Sequence, residues 1–445
     1  MSRRIDGAAV RAALDRAAFG PLSHNRILIG TVVALCLAVF VLQTISFAYL
    51  WDTDSPSYYV AARGLARHID IYDDAAFQAL AAETFGKSII VYPYIYPPLL
   101  AQILVPLSAL PYGDYFLALY IFNLLLTLGC LYLLADVLDF KSTGSAAGAP
   151  AFARGSGSAV LARAYDSRAS TLPALFLFVL IAANHPLEIT IHHGQINILV
   201  LVFALLFLKF RKSGRDGWAG LALALAVFLK IYPVLLILPA LAARKGKAVL
   251  GFAAAAAGLL LASLAASGTA VWAAFARSTL DVFLGRSTSV FIHGFQSSPN
   301  NLSLKGLLGQ AVSLLHVSAP AATAAYVAIA VGLFALMAAT ARRTRLAVDI
   351  PLQGALLLIA TLVLAPLTWS HHYTVMMLPL AYVFGRAVRE RRYAALLPFG
   401  ALGAIILYYP VGGGFPFNQA RLLASLAFFA ALLVFAKPRQ EAAPA

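Results

Sequence analysis

Two carboxylates, Asp52 and Asp54, stand in the segment Trp51-Asp-Thr-Asp-Ser-Pro-Ser-Tyr-Tyr59, just past the first long apolar run of a chain with 18 acidic residues in 445. A carboxylate at the mouth of an apolar helix is costly without a partner, and one that is kept there marks a candidate functional site. The competing reading for both acids is an interfacial cap of that helix. Lys230 is the clear charge within an otherwise apolar run, in Lys230-Ile-Tyr-Pro233. Of the nine histidines, eight lie away from the basic clusters, among them the adjacent pairs His192-His193 and His371-His372. Carboxylate and imidazole groups are the usual carriers of proton transfer, so the chemistry of this chain is concentrated in a few places.

The elements that must position these groups are membrane helices. Hydrophobic residues make up 61% of the chain and charged residues 11%, the mean hydropathy is +0.83, and apolar runs such as 27–50 and 320–341 are long enough to span a bilayer. The runs are continuously apolar and do not alternate, which excludes a β-barrel and leaves an all-α polytopic membrane protein. The net charge of +15 would suggest nucleic acid in a soluble protein. Here 25 of the 33 Lys and Arg fall in seven clusters, at 3–26, 141–168, 209–215, 244–247, 342–345, 386–392 and 437–439. Those are the cytoplasmic loops of a polytopic protein, and no nucleic-acid partner is expected.

Threading the chain with every basic cluster inside gives about twelve spans, with both termini cytoplasmic. They lie near 27–50, 114–138, 171–185, 195–210, 217–229, 232–243, 247–266, 320–341, 349–366, 373–388, 394–410 and 418–436. The two flanking Lys230 are too short for a hydrocarbon core of about 30 Å and must form a short hairpin. The stretches 97–111 and 301–316 fit the charge pattern as helices on the outer surface. The first apolar run is too long for a signal peptide and lacks a small-residue cleavage site, so it reads as an uncleaved first helix. Residues 139–170, rich in Ser, Thr, Gly and Ala, read as a flexible cytoplasmic loop, and residues 1–445 as one integral membrane domain. Cys36 and Cys130 fall inside apolar runs and read as small core residues.

The outer loop 51–113 carries Asp52, Asp54, Asp70, Asp73, Asp74 and Glu83, a third of all the acids. Asp73 and Asp74 read as a helix cap. Tyr92-Pro-Tyr-Ile-Tyr-Pro-Pro98 reads as a turn into a surface helix, because consecutive prolines fix the backbone and remove donors.

Several motifs recur in a fixed order. Asp54-x-x-x-Tyr58-x-x-Ala61 is followed by Ile71-Tyr72, Tyr96-Pro97-Pro98, His193-Gly-Gln-Ile-Asn197, Gly220 through Lys230-Ile-Tyr-Pro233, Asn300-Asn-Leu-Ser-Leu304 and Pro366-Leu-Thr-Trp-Ser-His-His372. Together they resemble the GT-C membrane glycosyltransferases, specifically glycosyltransferase family 87, the polyprenol-phosphate-mannose-dependent mannosyltransferases. Each motif alone is weak; their order, over most of the chain, carries the resemblance. The chain has Asn300-Asn301 where relatives often carry Asn-Gln.

The resemblance implies a GT-C fold and sugar transfer from a polyprenyl-phosphate donor, most often mannose, to a hydroxyl of a lipid or glycan acceptor on the outer face. Asp54 is then the general base, acting opposite the leaving group and inverting the anomeric centre. A departing phosphate monoester needs cations or hydrogen-bond donors more than a general acid. Lys230, His371 and His372 are the expected phosphate contacts, with Asp52, Arg63, Gln195 and Asn197 as weaker substrate contacts and Arg286 and Lys305 as secondary cations. Gln195 and Asn197 also suit helix capping. No metal and no cofactor is expected: adjacent histidines on a helix point their rings apart, and no Cys or His-x-x-x-His accompanies them. The alternative is a divalent cation held with outer-loop acids, as in some other GT-C enzymes, which Asp52 beside Asp54 leaves open. The expected partners are the lipid donor, the acceptor and membrane lipids, in a bacterial inner membrane with the active site facing the periplasm. A transporter or flippase, or an enzyme using another polyprenyl-phosphate sugar, is the alternative; a transport pathway would place acids within the spans, whereas these acids lie in loops and near helix ends.

Overall fold

The computed structural model describes residues 26–44, 54–86, 91–140, 172–173, 175–284, 298–342, 348–390, 392–409 and 414–436. Among them the chain is all-helical. The helices are α1 (Arg26–Thr44), α2 (Ser55–Ala66), α3 (Asp74–Phe85), α4 (Pro98–Leu104), α5 (Tyr112–Val137), α6 (Leu175–Ala182), α7 (His185–His192), α8 (Asn197–Lys212), α9 (Asp216–Leu229), α10 (Leu238–Ala242), α11 (Gly246–Leu284), α12 (Leu304–Leu315), α13 (Ala319–Ala341), α14 (Ile350–Leu364), α15 (Met377–Arg389), α16 (Leu396–Tyr408) and α17 (Ala420–Phe435). Two 3₁₀ segments, Tyr232–Ile237 and Ser370–Met376, lead into α10 and α15. Of the loop expected at 139–170, residues 141–170 lie outside the described residues, as do Asp52 and Arg286.

Among the described residues, four helices are long and apolar enough to cross a membrane, or five if the bent pair α6 and α7 counts as one span. The expected dozen therefore divides into a few long spans and several shorter apolar helices, such as α9 and α14. Two boundaries are corrected. The expected span 171–185 continues past a 58° bend into α7, because the Asn184 side chain caps Leu187 N at 3.0 Å and Pro186 occupies the first turn, both helix-starting signals. The expected span 247–266 runs on to Leu284, through a break at Gly268, whose φ of 78° leaves the helical region.

Burial follows the two kinds of neighbour that a membrane helix has. The most apolar stretches of α5 and α17 are 44% and 56% buried inside the protein, whereas those of α11 and α13 are only 11% and 6% buried. The bare faces of α11 and α13, with Leu250, Leu261, Val327 and Val331 exposed, present the surface that lipid covers. Close backbone approach holds α9 to α11. A Cβ on Gly220 would lie 2.2 Å from Phe252 N, and one on Gly251 would lie 2.8 Å from Gly217 O, so only glycines permit this contact. Near the basic clusters, Lys209 pairs with Asp136 at 3.0 Å and Arg386 with Glu390 at 2.7 Å.

Candidate active site

Asp54 occupies the N-cap position of α2, yet its side chain makes no capping bond. Pro56 in the first turn starts the helix instead. By contrast, Asp73 caps α3 through Ala76 N at 2.8 Å, as its position predicts. The Asp54 carboxylate is therefore free to face a cavity. The start of α2 is docked on the turn after α7: Ser55 N donates to His193 O at 3.1 Å. Gly194, at φ 60°, makes that turn possible, because a Cβ there would sit 2.8 Å from the Ser55 Cβ. The consequence is that His193 Nδ1 lies 3.5 Å from Asp54 Oδ2.

A second imidazole reaches the same oxygen from another part of the fold. His371 Nδ1 is 3.9 Å from Asp54 Oδ2, and the His371 carbonyl is held by Thr190 Oγ1 at 3.1 Å and Asn197 Nδ2 at 3.2 Å. Burial by itself would raise the Asp54 carboxyl; the hydrogen bond with His193 is the main influence against it, and the group is held well below the usual carboxylate range. Burial keeps His371 and His372 neutral, well below the usual imidazole range.

Lys230 follows α9 in extended backbone, with φ −148° and ψ 128°, and is only 4% exposed. Its Nζ donates to Gln195 Oε1 at 3.0 Å and to Asn197 Oδ1 at 2.7 Å, and sits 4.8 Å above the Tyr96 ring. Gln195 Oε1 also accepts from Tyr58 OH at 2.6 Å. Burial pushes the ammonium down to about 7, with Asp54 pulling the other way. His372 lies 3.4 Å from Lys230 through Nε2, while its Nδ1 accepts from Trp369 N at 3.0 Å. That backbone bond assigns the remaining ring proton of neutral His372 to Nε2. A charged Lys230 and this N–H are both donors, so they satisfy an anion placed between them and not each other.

The groups meet in one cavity of about 840 Å³. Asp54, His193, Lys230, His371 and His372 line its polar end. Its apolar remainder is lined by Val234, Leu235, Val282, Phe283, Leu364 and Leu367, among others. Such a cavity accommodates a ligand with one anionic or hydroxylated end and one hydrocarbon end.

The family model of glycosyltransferase family 87 matches residues 94–368. The chain belongs to glycosyltransferase family 87. It is similar to the polyprenol-phosphate-mannose-dependent alpha-(1-2)-phosphatidylinositol mannoside mannosyltransferase of Mycobacterium tuberculosis, with 26% identity over 324 residues, covering 71% of this chain and 67% of that protein. As a family 87 glycosyltransferase the chain is a hexosyltransferase.

Against this glycosyltransferase's cavity, the residues expected from sequence sort into three groups. Asp54, Lys230, His371 and His372 line it together. Gln195 and Asn197 do not: both are fully buried and serve as the seat of Lys230. Arg63 is turned to the opposite face of α2, over the Tyr59 ring at 5.5 Å, because Tyr59 and Arg63 are i,i+4 neighbours. Lys305 packs on the end of α11, donating to Phe283 O with its Nζ 4.9 Å over the Phe283 ring. Tyr96, expected only to shape a turn, lines the cavity.

His193 is the residue that sequence reasoning undervalued. Adjacent histidines were expected to point their rings apart, yet His371 and His372, in a 3₁₀ segment, lie with ring centroids 4.5 Å apart and both line the cavity. Asp54, His193 and His371 each offer one ligand atom, all within 4.8 Å of one another. Two imidazoles and one carboxylate are a donor set that fits a divalent cation. The signal in the sequence was Gly194, which turns the chain straight after His193.

Proposed function

We propose that this glycosyltransferase moves a hexose, mannose, from a polyprenyl-phosphate donor to a hydroxyl of a lipid or glycan acceptor on the outer face of the bacterial inner membrane, with inversion. The observation that carries the reading is the uncapped Asp54 carboxylate in one cavity with the Lys230 and His372 donor pair. In the reaction, Asp54 takes the acceptor hydroxyl proton as the acceptor oxygen bonds to the anomeric carbon. The bond from that carbon to the phosphate oxygen breaks, and its electron pair leaves with the polyprenyl phosphate. Lys230 and the Nε2–H of His372 meet the charge that develops on that oxygen. The apolar part of the cavity suits the first isoprene units of the donor. The surrounding architecture is that of a GT-C enzyme, with about twelve spans when the shorter apolar helices cross within a protein-lined region.

The deciding experiment is transfer from labelled polyprenyl-phosphate-mannose in membranes, comparing the wild type with Asp54→Asn. A fall of about 10²- to 10⁴-fold at equal expression supports the base assignment. Full activity in the variant removes Asp54 from the mechanism, and no transfer by the wild type removes the donor.

A further inference from the structure

One sequence motif is not absorbed by the cavity. Asn300 lines it, whereas the Asn301 side chain points away and is fully buried. The Asn301 amide spans the backbone that leads to the two site histidines. Its Nδ2 donates to Pro366 O at 3.1 Å, and its Oδ1 accepts from Thr368 N at 3.1 Å and from Ser303 N at 3.3 Å. Leu302 N adds a bond to Thr368 O at 2.7 Å, and Tyr373 OH donates to Leu302 O at 3.0 Å. Residues 301–302 therefore grip the chain on both sides of Trp369–His372, before it at Pro366 and Thr368 and after it at Tyr373.

The grip is itself fixed from behind. Gln419 Nε2 donates to Asn301 O at 3.1 Å, and α12 packs so closely that a Cβ on Gly306 would lie 2.1 Å from Asn301 O. Ser303 caps α12 through Gly306 N at 3.1 Å. Pro366 leaves its segment one backbone donor short, and the Asn301 amide supplies a donor and an acceptor in the pattern of a peptide group. A carboxylate offers no donor to Pro366 O.

We propose that Asn301 is a positioning residue of this enzyme, acting through His371 and His372 by fixing the 366–373 segment against α12. The role rests on the proposed function only for its kinetic readout. Displacing a reacting or charge-stabilising group by about 1 Å costs on the order of 10²-fold in rate.

The test uses Asn301→Asp in the full-length membrane enzyme, with Tyr373→Phe as a milder variant that removes only the second strap. Hydrogen exchange needs no substrate: faster exchange confined to 365–376, with α8 unchanged, is expected. Unchanged exchange in 365–376 overturns the proposal whatever the activity. In transfer assays, kcat is expected to fall about 10- to 100-fold with little change in donor KM. In a His371→Ala/His372→Ala background the same substitution is expected to have almost no further effect, because its action runs through those rings. A full additional loss in that background, or a loss explained by lower thermal stability alone, overturns the proposal. If Asn301→Asp does not accumulate, the exchange and background tests on Tyr373→Phe decide it by the same criteria.

Discussion

Lys230 Nζ and His372 Nε2 lie 3.4 Å apart, and the backbone bond from Trp369 N to His372 Nδ1 makes the facing ring nitrogen a donor. Two donors turned toward each other in a buried cavity leave a place for an anion.

The first prediction concerns pH. The Lys230 ammonium is pushed down to about 7 by burial, and only its charged form holds a phosphate. Donor kcat/KM should therefore be level below that point and fall up to about tenfold per pH unit above it. Lys230→Arg stays charged throughout this range, so its profile should lose the alkaline limb, at a lower overall rate. Profiles between pH 6 and 9 check this; an unchanged limb in Lys230→Arg assigns the titration to another group.

Asn197→Asp changes the seat of Lys230 from amide to carboxylate at the 2.7 Å contact. An opposite charge at that range raises an ammonium by about 1 to 3 pH units. The alkaline limb should move up accordingly, while donor KM rises because the new carboxylate competes with the phosphate. A limb that stays in place contradicts the pairing.

Gly194→Ala tests the docking of α2. At φ 60°, with a Cβ only 2.8 Å from Ser55, alanine costs on the order of 1–2 kcal/mol in backbone strain and displaces the start of α2. A lower thermal midpoint and reduced kcat, with donor KM nearly unchanged, are expected from melting curves and kinetics on the same preparation. Wild-type values for both dispose of the idea that this turn sets the Asp54–His193 distance.

Chelation tests the carboxylate and the two imidazoles. With Lys230 and His372 meeting the phosphate charge, transfer should persist, within about twofold, after exhaustive dialysis against EDTA. Loss of activity restored by a divalent ion would place that ion among Asp54, His193 and His371.

Asp54, Lys230 and the second histidine pair were legible in the sequence because charged and titratable groups are expensive in an apolar chain and few are present. The seat beneath Lys230 was not. Gln195 and Asn197 look like exposed polar residues at a helix start, and only the fold reveals that both are buried and bonded to an ammonium more than thirty positions along the chain. His193 escaped for a related reason, since its partner His371 comes from a distant segment. The all-helical fold followed from composition. The number of spans did not, because apolar helices of 14 or 15 residues such as α9 and α14 are shorter than a bilayer and their crossing is a matter of packing. Asp52 lies outside the described residues, so its part in the chemistry is left to the Asp52→Asn variant.

Asp54 stands at the amino end of α2 without capping it, where the helix dipole favours its anion. A carboxylate made this stable is a feeble base toward a resting hydroxyl. In the proposed reaction, the acceptor hydroxyl gives up its proton to Asp54 only once the new glycosidic bond is largely formed and the hydroxyl has become acidic. Timing is thereby written into the fold. On that proposal no free alkoxide forms ahead of bond making, and Asp54 remains idle until the sugar is already leaving its phosphate.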